Sequence, residues 1–137
     1  MRTPAEILRD ARTIAVVGAS PKPERPSHGV MRYLLAQGFD VIPVRPAGCD
    51  EVLGVPCART LAEIDRPIDV VDVFRRAEST PPHAEEAAEV GAGALWLQLG
   101  IVSAESRRIA ETAGIDYVED LCTAVVHRYE IRDAQHR

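Results

Sequence analysis

Five short apolar or β-branched runs, Thr13–Val17, Asp40–Val44, Asp69–Phe74, Ala94–Leu97 and Ile115–Val118, begin 27, 29, 25 and 21 residues apart. Hairpin-linked strands recur at roughly half that interval, whereas a strand, a crossover helix and two loops fill it. The segments between the runs carry helical signals. After the first, Val30/Leu34 and Met31/Leu35 pair at i,i+4, with Ser27 placed to cap the start and Gly38 to end the helix. After the third, Ala84, Ala87 and Ala88 form a stripe that stops at Gly91; after the fourth, Ser103 precedes Ile109, Ala110 and Ala113, stopping at Gly114. Thr3-Pro4-Ala5-Glu6 predicts a capped helix through Ala11, and Thr60-Leu61-Ala62-Glu63 a short second one. The predicted fold class is α/β: one doubly wound domain over residues 1–137, a five-stranded parallel sheet with helices on both faces. Pro46 to Arg59 reads as a longer loop with room for an extra β-bridge, and the tail from Asp133 as polar and frayed.

Composition narrows the function classes. No apolar run is long enough to span a bilayer, and Met1-Arg2-Thr3 leads into Pro4-Ala5-Glu6 rather than an apolar signal region, so a cytoplasmic protein without membrane contact is expected. Cys49, Cys57 and Cys122 contain no C-x-x-C pair and are expected as reduced thiols. A net charge of −5 argues against general nucleic-acid binding. Locally the balance reverses: Lys22, Arg25, Arg32 and Arg45 outweigh Glu24 and Asp40 between Val17 and Gly48.

In a doubly wound sheet, ligands bind outside the carboxyl ends of the strands, where the strand order reverses. The first such loop is VVGASPKPERPSHGV. Gly18 permits a tight turn off the first strand, Ala19 and Ser20 are small enough to let a phosphate reach main-chain N–H groups, and Lys22 and Arg25 add charge beside a helix start. The loop lacks the G-x-G-x-x-G fingerprint of dinucleotide sites, and Pro21, Pro23 and Pro26 stiffen it for a bulkier phosphorylated ligand. The second strand ends in Val44-Arg45-Pro46, without the acid that reads an NAD ribose; Arg45 suits a ribose phosphate, such as that of coenzyme A or NADP. Phe74 and Arg75 end the third strand, where an aromatic face and a guanidinium fit adenine and phosphate. Gln98 ends the fourth, placed to read an amide of a ligand's arm, while Trp96 reads as packing.

Five segments taken in order, VVGASPKPERPSHGV, DVIPVRPAG, DVVDVFRR, GALWLQLGI and GIDYVEDLC, resemble the small CoA-binding domain proteins, one-domain relatives of the CoA-binding domain of the succinyl-CoA synthetase α-subunit. The resemblance covers about residues 5 to 130. It implies a Rossmann-like sheet in the order 3-2-1-4-5, with coenzyme A or acyl-CoA across the loops after the first three strands. The phosphate-facing turn then falls on Gly18, Ala19, Ser20 and Lys22, the second-strand contact on Arg45 and Pro46, and the adenosine side on Val73, Phe74 and Arg75. The family commonly reads Asn-Pro where this chain has Arg45-Pro46, and Arg before the late cysteine where this chain has Asp120-Leu121-Cys122.

Catalytic signals are weak. The phosphoryl-carrying histidine of succinyl-CoA synthetase lies in a second domain, which a 137-residue chain is expected to lack. His28, His83, His127 and His136 form no motif, Glu85 and Glu86 read as a solvated helix surface, and Cys122 reads as a small buried residue. The expected function is therefore a non-catalytic coenzyme A or acyl-CoA binding module, regulatory or acting with a protein partner. An NADP-binding small reductase and the CoA-recognition subunit of a split acyl-CoA ligase are the alternatives.

Overall fold

The computed structural model describes residues Met1–Ala134; the end of the predicted polar tail, with His136, lies outside the described residues. The main strands are β1 (Thr13–Val17), β2 (Asp40–Val44), β5 (Val70–Val73), β6 (Ala94–Leu97) and β7 (Asp116–Val118), with a small hairpin, β3 (Glu51–Val52) and β4 (Val55–Pro56), after β2. The helices are α1 (Pro4–Asp10), α2 (Pro26–Ala36), α3 (Pro81–Glu89), α4 (Ala104–Ala113) and α5 (Thr123–His127), the last widening into a π-turn over Arg128–Arg132. This is the α/β architecture the strand spacing predicts, in the Rossmann-like form the family resemblance implies.

Each strand alternates between two apolar layers, as the period of a pleated strand requires. Ala15, Val17, Val71, Val73, Leu95 and Leu97 pack toward Ala84 and Ala87 of α3 and Ala110 of α4. Ile14, Val16, Val70 and Trp96 pack toward Ile7 and Leu8 of α1, Met31 and Leu34 of α2, and Val126 of α5.

The parallel sheet runs β2-β1-β5-β6-β7. One further parallel bridge, from Val44 to Ala58, extends it beyond β2, so that with Ala58 counted third along the chain the order reads 3-2-1-4-5 and ends in a sixth position at β7. The third place therefore belongs to the bridge in the Pro46–Arg59 loop, and the run at Asp69–Phe74 lies directly against β1. Asp69 accounts for that placement: its carboxylate accepts the N–H groups of Arg12 and Thr13 at 2.8 and 2.9 Å, and its own N–H donates to the Thr13 carbonyl at 2.9 Å.

Local signals hold with two adjustments. Thr3 and Glu6 form the full reciprocal capping box on α1, and Ser103 caps α4, which closes on Gly114 at φ +75°. The second expected box does not form: Leu61–Glu63 is a single 3₁₀ turn, and Glu63 accepts from the Arg59 N–H instead. Arg25, not Ser27, is the N-cap of α2, because Pro26 occupies the first helical position.

The cysteines are corrected. Cys49 and Cys57 are disulfide-bonded across the β3–β4 hairpin, their Cα atoms 5.7 Å apart, and Cys122 is free. The hairpin brings both ends of its loop together, which cysteine spacing alone does not reveal.

Candidate functional site

Gly18 leaves β1 at φ +85°, with its N–H donating to the Val44 carbonyl at 3.0 Å. A Cβ there would collide with the carbonyl oxygen of Phe74, so the ends of β1 and β5 meet more closely than any side chain allows. Beyond it the loop is fastened to α2: the Ser20 N–H donates to Ser27 Oγ at 3.1 Å, and the Lys22 N–H to Ser20 Oγ at 3.1 Å. Ser27 thus holds the loop rather than capping the helix.

The loop forms one wall of a cleft of about 800 Å³ along the carboxyl edge of the sheet. β2 contributes Arg45, Pro46 and Ala47; β1, Gly18, Ala19 and Ser20; β5, Phe74, Arg75 and Arg76; β6, Gln98, Leu99 and Ile101; and the turn after β7, Cys122. Lys22 and Arg25 reach in from the loop and Pro26, Ser27 and Val30 from α2. Five cations and no carboxylate line a cleft in a chain whose net charge is −5. Among the described residues none of the five makes an ion pair. Concentrated positive charge beside the N-terminus of an 11-residue helix favours a polyanion.

Beneath Gln98 lies a buried polar network. Thr123, fully buried, donates its N–H to Gln98 Oε1 at 3.0 Å, while its hydroxyl lies 3.1 Å from the same atom and 2.8 Å from Asp72 Oδ2. Asp72 is buried in the middle of β5, and burial pushes its carboxyl up to about 8. A hydroxyl has one proton, so both contacts are satisfied when neutral Asp72 donates to Thr123 Oγ1 and the hydroxyl donates to Gln98 Oε1. Asp72 Oδ1 is left without a partner. With Oε1 doubly occupied, the amide nitrogen is the end of Gln98 left for the cleft.

Of the residues singled out from sequence, Gly18, Ala19, Ser20, Lys22, Arg25, Arg45, Pro46, Phe74, Arg75 and Gln98 all line the cleft. Val73 does not: it is the last residue of a strand buried on both faces, and its side chain packs among Val17, Val71 and Leu97, one position short of the edge where Phe74 opens the cleft. Arg76 joins the cleft as the second arginine of the Phe74-Arg75-Arg76 run, a signal that the sequence reading passes over. Leu99, Ile101 and Cys122 reach the cleft through loop packing that local patterns do not encode, and Ser27 reaches it from the first turn of α2. Trp96 is buried packing, its Nε1 donating to the Leu121 carbonyl at 2.7 Å.

A parallel α/β sheet with a cationic cleft over its carboxyl edge defines a protein of the phosphorylated-ligand-binding class. Residues 12–128 match the family described as the CoA binding domain, and the chain belongs to that family. It is 44% identical over 122 residues to the uncharacterized protein YneT of Bacillus subtilis, covering 89% of this chain and 90% of that one. A hypothetical protein from Pyrococcus horikoshii superposes with a TM-score of 0.87 at 38% identity, covering 93% of this chain and 91% of the other. The fold alone is shared with the dinucleotide-forming acetyl-coenzyme A synthetase 1 of Ca. Korarchaeum cryptofilum: TM-score 0.72, 21% identity, 84% of this chain and 27% of that one.

Proposed function

We propose that the chain binds coenzyme A in this cleft as a non-catalytic, one-domain cytoplasmic module, in a regulatory role or with a separate protein partner. The observation that carries the reading is the lining itself, five cations that make no ion pair among the described residues and no carboxylate, on a chain of the CoA-binding domain family. The Ala19 N–H and the N-terminal end of α2, with Lys22 and Arg25, bind the pyrophosphate. Arg45 takes the ribose phosphate, Phe74 and Arg75 flank the adenosine, and the pantetheine arm runs toward Gln98. NADP is the second ligand Arg45 suits. The proline-stiffened loop, longer than a dinucleotide fingerprint, favours coenzyme A.

The assignment of Arg45 has a direct test. Loss of a charged hydrogen bond costs about 1.5–3 kcal/mol, roughly a tenfold or larger loss of affinity. Arg45→Ala should therefore weaken coenzyme A by that factor and leave dephospho-coenzyme A within about twofold, as measured by calorimetric titration. Equal losses for the two ligands would remove Arg45 from the ribose phosphate.

A further inference from the structure

The cleft changes character along its length. Its cations come from the loops and strand ends of β2, β1 and β5, whereas β6 and the turn after β7 supply Gln98, Leu99, Ile101 and Cys122 and no charge. Adjacent parallel strands lie about 4.8 Å apart, so the two extremes are separated by roughly 19 Å of sheet edge. A ligand filling the cleft is anionic at one end and apolar at the other.

The apolar end is held open by bonding that leaves its side chains free. The Gly100 N–H donates to Asp120 Oδ1 at 2.7 Å and the Asp120 N–H to the Ile101 carbonyl at 3.2 Å, lacing the β6–α4 loop to the β7–α5 loop. Asp120 takes up φ +57° to do so, a left-handed conformation that costs a non-glycine residue. The laced loops present Leu99 at 68% exposure beside Ile101 and Cys122 in the cleft, and expose Val102 and Leu121, the chain neighbours of those two, at 51% and 39%. Where the charged part ends stands Gln98, only 5% exposed, with its Oε1 consumed by Thr123 and no bond to its amide nitrogen among the described residues. That nitrogen can donate to a carbonyl oxygen.

We propose that the ligand of this cleft is an acyl-coenzyme A thioester with an uncharged aliphatic acyl group. The Gln98 amide donates to a carbonyl at the thiol end of the arm, and the acyl chain lies over Leu99, Ile101 and Cys122. This rests on the coenzyme A reading above and adds the class of acyl group. A carboxylated acyl group of similar size finds no cation on the β6 and β7 loops and is disfavoured.

The test is calorimetric titration of the full chain with coenzyme A, butyryl-, succinyl- and octanoyl-coenzyme A, each below its micellar concentration. Octanoyl-coenzyme A is expected to bind at least about tenfold more tightly than coenzyme A, and butyryl more tightly than succinyl. In Leu99→Gln, an exposed position where a polar residue is tolerated, the octanoyl to free-coenzyme A affinity ratio should fall to within about threefold. Coenzyme A binding with no gain from the acyl chain overturns this inference and leaves the coenzyme A reading standing; no binding by any of the four overturns both. A gain that survives in Leu99→Gln overturns the placement of the chain. So does sedimentation showing that this face pairs two copies, with Leu99→Gln giving monomers.

Discussion

Gly18→Ala should weaken coenzyme A binding at least about tenfold and lower the melting temperature by several degrees. A non-glycine residue at φ +85° bears on the order of 1–3 kcal/mol of strain, and the added Cβ meets the Phe74 carbonyl oxygen and, at 3.1 Å, Arg75 Cδ. A backbone carbonyl cannot rotate away like a side-chain tip, so relief requires the ends of β1 and β5 to separate. That separation moves the Ser20 turn and Arg75 together, and each charge-assisted hydrogen bond to a phosphate that breaks as a result costs about 1.5–3 kcal/mol. Gly29→Ala is the matched control: nothing lies within 4 Å of its added Cβ, inside α2, and alanine there should raise stability by up to about 1 kcal/mol. Thermal melts and titrations on both variants check the pair. Full affinity in Gly18→Ala would mean that the phosphates do not sit over this turn.

Asp72→Asn should flatten the pH dependence of stability. Burial raises the Asp72 carboxyl to about 8 in the folded chain, against an ordinary value of 3.8 once unfolded. Between those limits the folded state holds a proton that the unfolded state has released, so stability falls as pH rises, by up to about 1.4 kcal/mol per unit. Asparagine fits the same space, and its Nδ2 can donate to Thr123 Oγ1 as the neutral carboxyl does. The variant should equal the natural chain near pH 4 and exceed it by several kcal/mol near pH 8. His127, lowered by burial, slopes the opposite way just below its ordinary value, but it is common to both chains and cancels in the difference. Urea unfolding from pH 4 to 9 decides the matter; parallel curves for the two proteins would show that Asp72 is ionised when folded.

Much of this fold is readable from local pattern, because strand spacing, the Thr3–Glu6 box, the Ser103 cap and the glycine stops are each written within a few residues of where they act. Third place in the sheet is not, since one bridging residue, Ala58, has no period of its own and finds Val44 only after the chain turns through the β3–β4 hairpin. The same hairpin pairs Cys49 with Cys57. Cleft residues are legible where they flank strand ends, as Gly18, Arg45 and Arg75 do. Val73, one position before Phe74, ends a strand buried on both faces, so its side chain goes to the core rather than to the cleft. The Asp72–Thr123–Gln98 network joins residues 51 and 25 positions apart, beyond any local motif. One trace of it stands in the open: an aspartate inside the apolar run Val70-Val71-Asp72-Val73, where an acid is too costly to bury without a partner.

Titration of the natural chain with coenzyme A, followed by its melting temperature, bears most directly on the account. A ligand at a hundred times its dissociation constant stabilises the state that binds it by about 2.7 kcal/mol. A rise of several degrees with coenzyme A, and none with NADP at the same concentration, is the predicted result; an unchanged melt in saturating coenzyme A would contradict it.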